Sequence, residues 1–95
     1  MEFKRYANTF KVLSDQNRLR ILSMVSKEKE ICACKILEQL NITQPTLAYH
    51  MKMLIDAGLV SCYKKGTWCI YKLERNQFNK IKDFLSDFNF EEEVK

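Results

Sequence analysis

The chain is 95 residues long, 46% hydrophobic and 29% charged, with a formal net charge of +4. That length predicts one domain, 1–95, with a core of modest size. No apolar run reaches the ~18 residues a membrane-spanning helix needs, and the charged N-terminus has no signal-peptide core; the expected address is cytoplasmic, with the four cysteines as reduced thiols.

Phe3, Tyr6, Ala7, Phe10 and Leu13 recur at helical spacing, which predicts an amphipathic helix over 3–13. Ser14 or Asp15 can cap a second helix carrying Arg18, Leu19, Ile21, Leu22 and Val25. Lys27 to Glu30 reads as a charged link. A third helix is predicted from about Cys32 to Leu40, with Ala33, Ile36, Leu37 and Leu40 on one stripe. Asn41-Ile42 forms a short turn. Thr43 then caps a fourth helix, because its hydroxyl can accept an orphan N–H; Pro45 suits the first turn, and Gly58 suits the stop. Two β segments, 59–64 and 67–73, flank a turn at Lys65-Gly66. A last helix over about 75–90 carries Phe78, Ile81, Phe84, Leu85 and Phe88, and Glu91–Glu93 reads as a solvated tail. This order predicts a mainly α fold with a β-hairpin wing, a winged helix-turn-helix. The aromatic stripes of the first and last helices exceed what so small a core can cover, which predicts a homodimer through those two helices.

On the fourth helix, Leu47, Met51, Leu54 and Ile55 read as the buried stripe, with Thr46, Tyr49, Met53 and Asp56 pointing broadly outward. A helix that enters a DNA groove needs short polar side chains near its start and phosphate contacts beside them. Gln44 and Thr46 are candidates for base edges, since Gln pairs with adenine and a Thr methyl packs on a thymine methyl. Tyr49 joins them, Lys52 is a candidate for a phosphate, and Lys64, Lys65 and Thr67 at the wing tip are candidates for backbone or minor groove. His50 either joins this set or holds the helix to its neighbour. The implied partner is double-stranded DNA, with no membrane involved.

Cys32 and Cys34 stand about 100° to either side of Ala33 on a helix, so they flank the core. As soft ligands they suit As(III), Sb(III), Cd(II) or Cu(I). On a regular helix the two thiols diverge, so chelation is expected to distort the first turn and disturb the recognition helix packed on it. A Lys65-Gly66 turn would set Cys62 opposite Cys69; cross-strand packing, a reversible disulfide and a second soft-ligand site all fit that arrangement. An enzyme is not expected. The spacing is C-x-C rather than C-x-x-C, and the sole histidine belongs to the DNA-facing helix.

Leu13-Ser14-Asp15-Gln16-Asn17-Arg18-Leu19-Arg20-Ile21-Leu22 resembles the second-helix signature of the ArsR/SmtB transcriptional repressors. Glu30-Ile31-Cys32-Ala33-Cys34 resembles their metalloid motif. Gln44 to Lys52, followed by Leu54 and Gly58-Leu59-Val60, resembles their recognition helix, and Tyr71-Lys72-Leu73 the end of their wing. The resemblance runs from Phe10 to Leu73 and is nearest to the arsenical-resistance repressors of Gram-positive bacteria. It implies a homodimeric repressor of an inverted-repeat operator near its own promoter, with As(III) or Sb(III) as inducer at Cys32 and Cys34 and no catalytic cofactor. Thiol redox sensing or another soft metal such as cadmium is the alternative. Leu37 stands where some members carry a third cysteine, leaving hydroxide, a small cellular thiol or a hairpin thiol for the third position. With His50 the only histidine, the closing-helix zinc site of other members has no counterpart.

Overall fold

The computed structural model describes residues 2–88. Its elements run α1 (Phe3–Leu13), α2 (Gln16–Glu28), β1 (Glu30–Cys32), α3 (Ala33–Gln39), α4 (Gln44–Asp56), β2 (Val60–Lys65), β3 (Trp68–Leu73) and α5 (Arg75–Ser86). The expected winged helix-turn-helix is there. Asn89, Phe90 and the Glu91–Glu93 tail lie outside the described residues.

Local chemistry sets the boundaries. Asp15 caps α2, its Oδ1 accepting from the Asn17 amide at 2.8 Å and the Arg18 amide at 3.0 Å. Thr43 caps α4 by accepting from the Thr46 amide, with Pro45 in the first turn. At the far end Leu59 N donates to Leu54 O and Gly58 N to Ile55 O, the two bonds of a Schellman stop. That stop needs a left-handed residue, and Gly58 supplies it at φ +74.

Several expectations need correction. Lys27 and Glu28 belong to α2, and the link shrinks to Lys29, whose positive φ of 67 turns the chain into a strand. That strand, β1, was expected to be link and helix. It completes a three-stranded antiparallel sheet in the order β1-β3-β2. The hairpin turn is Gly66-Thr67 rather than Lys65-Gly66, because Lys65 pairs with Trp68. Moving the turn by one residue moves every pairing by two, so faces are kept but partners change.

Ile21, Val25, Ile36, Leu54 and Leu59 are fully buried, and Leu47, Met51, Val60, Ile31 and Tyr71 complete the core between the helices and one sheet face. Ile55, expected inside, is exposed, while Met53, expected outside, packs against the core. Across α1 and α5 the Tyr6 and Phe84 rings stack at 4.1 Å, and Phe3, Phe10 and Phe88 gather on Phe84. Phe3 and Phe88 stay 63% and 54% exposed at the edge of that cluster. No helix among the described residues is long and apolar enough to cross a membrane.

Candidate nucleic-acid interface and thiol site

The cap at Thr43 leaves the first turn of α4 exposed, and Gln44 and Thr46 stand there. The Thr43 hydroxyl lies 2.9 Å from that of Thr46, which fixes the rotamer of the second. Tyr49 is 58% exposed one turn on. Lys52 is exposed too, but its Nζ lies 3.2 Å from Asp56 Oδ2, a pairing the sequence reading did not anticipate. An exposed pair of this kind is worth at most ~1 kcal/mol, so a phosphate can displace the carboxylate. Lys64, Lys65 and Thr67 are exposed around the hairpin tip. Being opposite Cys69 and Trp68, the two lysines leave the ribbon on opposite faces.

His50 is set apart from these. It is 6% exposed, and its Nδ1 lies 3.2 Å from Arg18 Nη1. Arg18, itself buried, also donates from Nε to the Val12 carbonyl at 2.6 Å. Of the two roles open to His50, anchoring is the one its surroundings match. Nothing in the residue pattern marks Arg18 as the partner of His50 beyond a long cation at a core-facing step of α2.

Cys32 has extended backbone, φ −72 and ψ 141, and caps α3 as the last residue of β1. Cys34 sits in the first helical turn. The expected divergence therefore does not arise: Cys32 lies outside the helix already, and the Cys34 amide donates to its Sγ at 3.2 Å. The two sulfurs are joined as a disulfide, with Cα atoms 5.2 Å apart. This corrects the expectation of four free thiols; Cys62 and Cys69 alone are free among the described residues. Both joined cysteines are half-buried beside Ala33.

The register separates the two cysteine pairs. Ile31, Tyr71 and Cys62 form one row across the sheet, and Cys32, Ile70 and Tyr63 the next. Successive rows point to opposite faces. Cys62, and Cys69 two residues before Tyr71, thus share the face of Tyr71, whereas Cys32 belongs to the other. A hairpin thiol is not placed to complete a site at Cys32. Nor do Cys62 and Cys69 sit opposite each other as expected: Cys62 faces Tyr71 and Cys69 faces Lys64. Diagonal partners of this kind are roughly 7–8 Å apart, beyond ordinary disulfide reach. Burial, with Cys69 beside it, holds the Tyr71 phenol well above its usual range. On the outer face the Tyr63 hydroxyl donates to Glu30 Oε1 at 2.8 Å, which ties β2 to β1 and pushes that phenol up as well. No cluster of three or more His, Cys, Asp or Glu that could hold a metal ion occurs among the described residues.

Residues 15–61 match the family model described as bacterial regulatory protein, arsR family. An arsenical resistance operon repressor of Staphylococcus xylosus is 40% identical over 89 residues, covering 94% of this chain and 85% of its own. Another, from Bacillus subtilis, is 38% identical over 78 residues, covering 82% of this chain and 74% of its own. Among solved structures, an ArsR-like transcriptional regulator from a Rhodococcus species superposes with a TM-score of 0.77 at 26% identity, covering 88% of this chain and 78% of that one.

Proposed function

The chain belongs to the arsR family of bacterial regulatory proteins, transcriptional regulators rather than enzymes, and from that premise we propose that it is a homodimeric repressor released from operator DNA by trivalent arsenic or antimony. The observation that carries the ligand part is the convergence of Cys32 and Cys34 where β1 ends and α3 begins. In the reduced protein these two thiols stand side by side and chelate without unwinding a helix. Thiolates select soft ions over hard ones. The names of the arsenical-resistance relatives support arsenic within that class, and Sb(III) joins it as an ion of like thiophilicity.

Gln44, Thr46 and Tyr49 are the proposed base-reading set, with Lys52, Lys64, Lys65 and Thr67 on the backbone. His50 is proposed to hold α4 in place. The exposed rings of Phe3 and Phe88 and the exposed Leu85 support pairing through α1 and α5. Such a dimer sets two recognition helices about 34–36 Å apart, one turn of DNA.

A second reading is favoured by the Cys32–Cys34 bond itself. Hydrogen peroxide would take two electrons and two protons from the dithiol, forming the S–S bond and leaving as two waters. The deciding experiment is anisotropy of labelled promoter DNA with reduced protein, titrated with As(III), Sb(III), Cd(II), Zn(II) and hydrogen peroxide. Release by As(III) and Sb(III) at the lowest concentrations is expected. Release by peroxide alone would replace the metalloid reading with the redox one. A monomer in sedimentation at micromolar concentration, with and without DNA, would end the dimer reading.

A further inference from the structure

Trp68 is the first residue of β3, immediately after the Gly66-Thr67 turn, and the chain's only tryptophan. It is 38% exposed and pairs with Lys65. Tyr63, two residues before Lys65, is 46% exposed on the same sheet face, with Ile70 opposite it. Among the described residues no aromatic ring packs on the indole. An amphipathic ring therefore stands at the wing tip directly across from Lys65, continuous with the surface assigned above to the DNA backbone. Leaving indole surface in water is no gain to a monomer, and the positive charge of Lys65 across from it suits a polyanion.

We propose that Trp68 is a sequence-reading contact to the minor groove of the duplex flanking the site read by α4. This rests on the reading of the wing as DNA-facing. The chemistry then fixes the preference. Indole Nε1–H is a donor only. The minor-groove edge of an A·T pair offers only acceptors, A N3 and T O2, whereas a G·C pair adds the guanine 2-amino donor. Trp68 meets an acceptor over A·T and a second donor over G·C. Lys64 and Lys65 hold neighbouring phosphates and carry no such preference. The wing becomes a discriminator of flanking composition as well as an electrostatic clamp.

The test uses the full chain and duplexes that it selects from a random-core library. In each selected duplex the flanking pairs under the wing, located by footprinting, are set to A·T, G·C or I·C. Inosine lacks the 2-amino group, so I·C presents the minor groove of an A·T pair. A·T and I·C flanks are expected to bind alike, with G·C weaker by about 3- to 10-fold, the worth of one hydrogen bond. Trp68→Phe keeps an aromatic ring without the donor and is expected to bind all three alike. The sole-tryptophan emission of the wild type should shift on DNA binding. Duplex bound with unchanged emission, or an A·T preference that survives in Trp68→Phe, overturns the proposal and leaves DNA reading by α4 intact. Failure to select any duplex overturns both.

Discussion

Arg18 Nη1 lies 3.2 Å from His50 Nδ1, joining α2 to the middle of the recognition helix. A guanidinium has only donors, so His50 Nδ1 is the acceptor and the imidazole proton sits on Nε2. With Val12 O accepting from Arg18 Nε, one buried cation ties the end of α1 and the inner side of α4 to α2. His50→Leu leaves that cation short of an acceptor and should destabilise the fold by about 1–3 kcal/mol. His50→Asn, whose Oδ1 reproduces the Nδ1 acceptor, should recover most of the loss in urea denaturation. DNA affinity should follow stability across both variants. A well-folded His50→Asn protein that no longer binds DNA would put the imidazole in the groove instead.

The cap at Asp15 predicts a pH dependence. Hydrogen bonding from the Arg18 amide holds this carboxyl below its ordinary value of 3.8 against the opposing effect of burial, with lesser help from the Arg18 charge and the Asn17 amide. A carboxyl lowered on folding adds stability above its unfolded value, and that stability is lost as pH falls through the folded one. Asp15→Ala should cost about 1 kcal/mol at neutral pH. The gap between variant and wild type should narrow below pH 3.8. Asp15→Asn keeps the cap without the titration and should show a flat difference. Chemical denaturation at several pH values checks all three.

The hairpin thiols should be dispensable. Cys62 and Cys69 stand on the sheet face opposite Cys32, in diagonal rather than facing positions. Cys62→Ser combined with Cys69→Ser is expected to bind DNA and respond to As(III) as the wild type does. A small stability loss should come from Cys69, which is half-buried against the core. Loss of the arsenite response in a folded double variant would move sensing to the wing.

The helices and the wing were legible because their signals are local. Asp15, Thr43 and Gly58 punctuate α2 and α4, and the aromatic spacing of α1 needs no tertiary context. β1 was not legible. Three residues carry no usable period, and its partner in β3 lies far along the chain, at Glu30 with Lys72 and Cys32 with Ile70. The thiol geometry depended on that strand, so reading Cys32 as helical misplaced the sulfurs and suggested an unwinding step. The hairpin slipped for a related reason. Lys65-Gly66 and Gly66-Thr67 both offer glycine a left-handed site, and Gly66 at φ +65 satisfies either.

Cys32 and Cys34 together should carry the metalloid response. Two thiolates form a chelate whose second bond closes within the molecule, and such closure raises affinity by about 10²-fold or more. Cys32→Ser and Cys34→Ser should each lose that factor in As(III) binding and repress without induction, since neither residue lies on the exposed face of α4. Because Cys32 is already outside α3, binding should not melt the helix: amide exchange from Cys32 to Lys35 in the reduced protein should stay as slow with As(III) as without it. The change should instead appear along β3 at Ile70, which is paired directly with Cys32, and in Tyr63, which is paired with Ile70. Mass-resolved hydrogen exchange on reduced protein reads both segments in one experiment. Faster exchange confined to the first turn of α3, with β3 unchanged, would restore helix unwinding as the route. A single-cysteine variant that still releases DNA at the wild-type arsenite concentration would end the two-thiol mechanism.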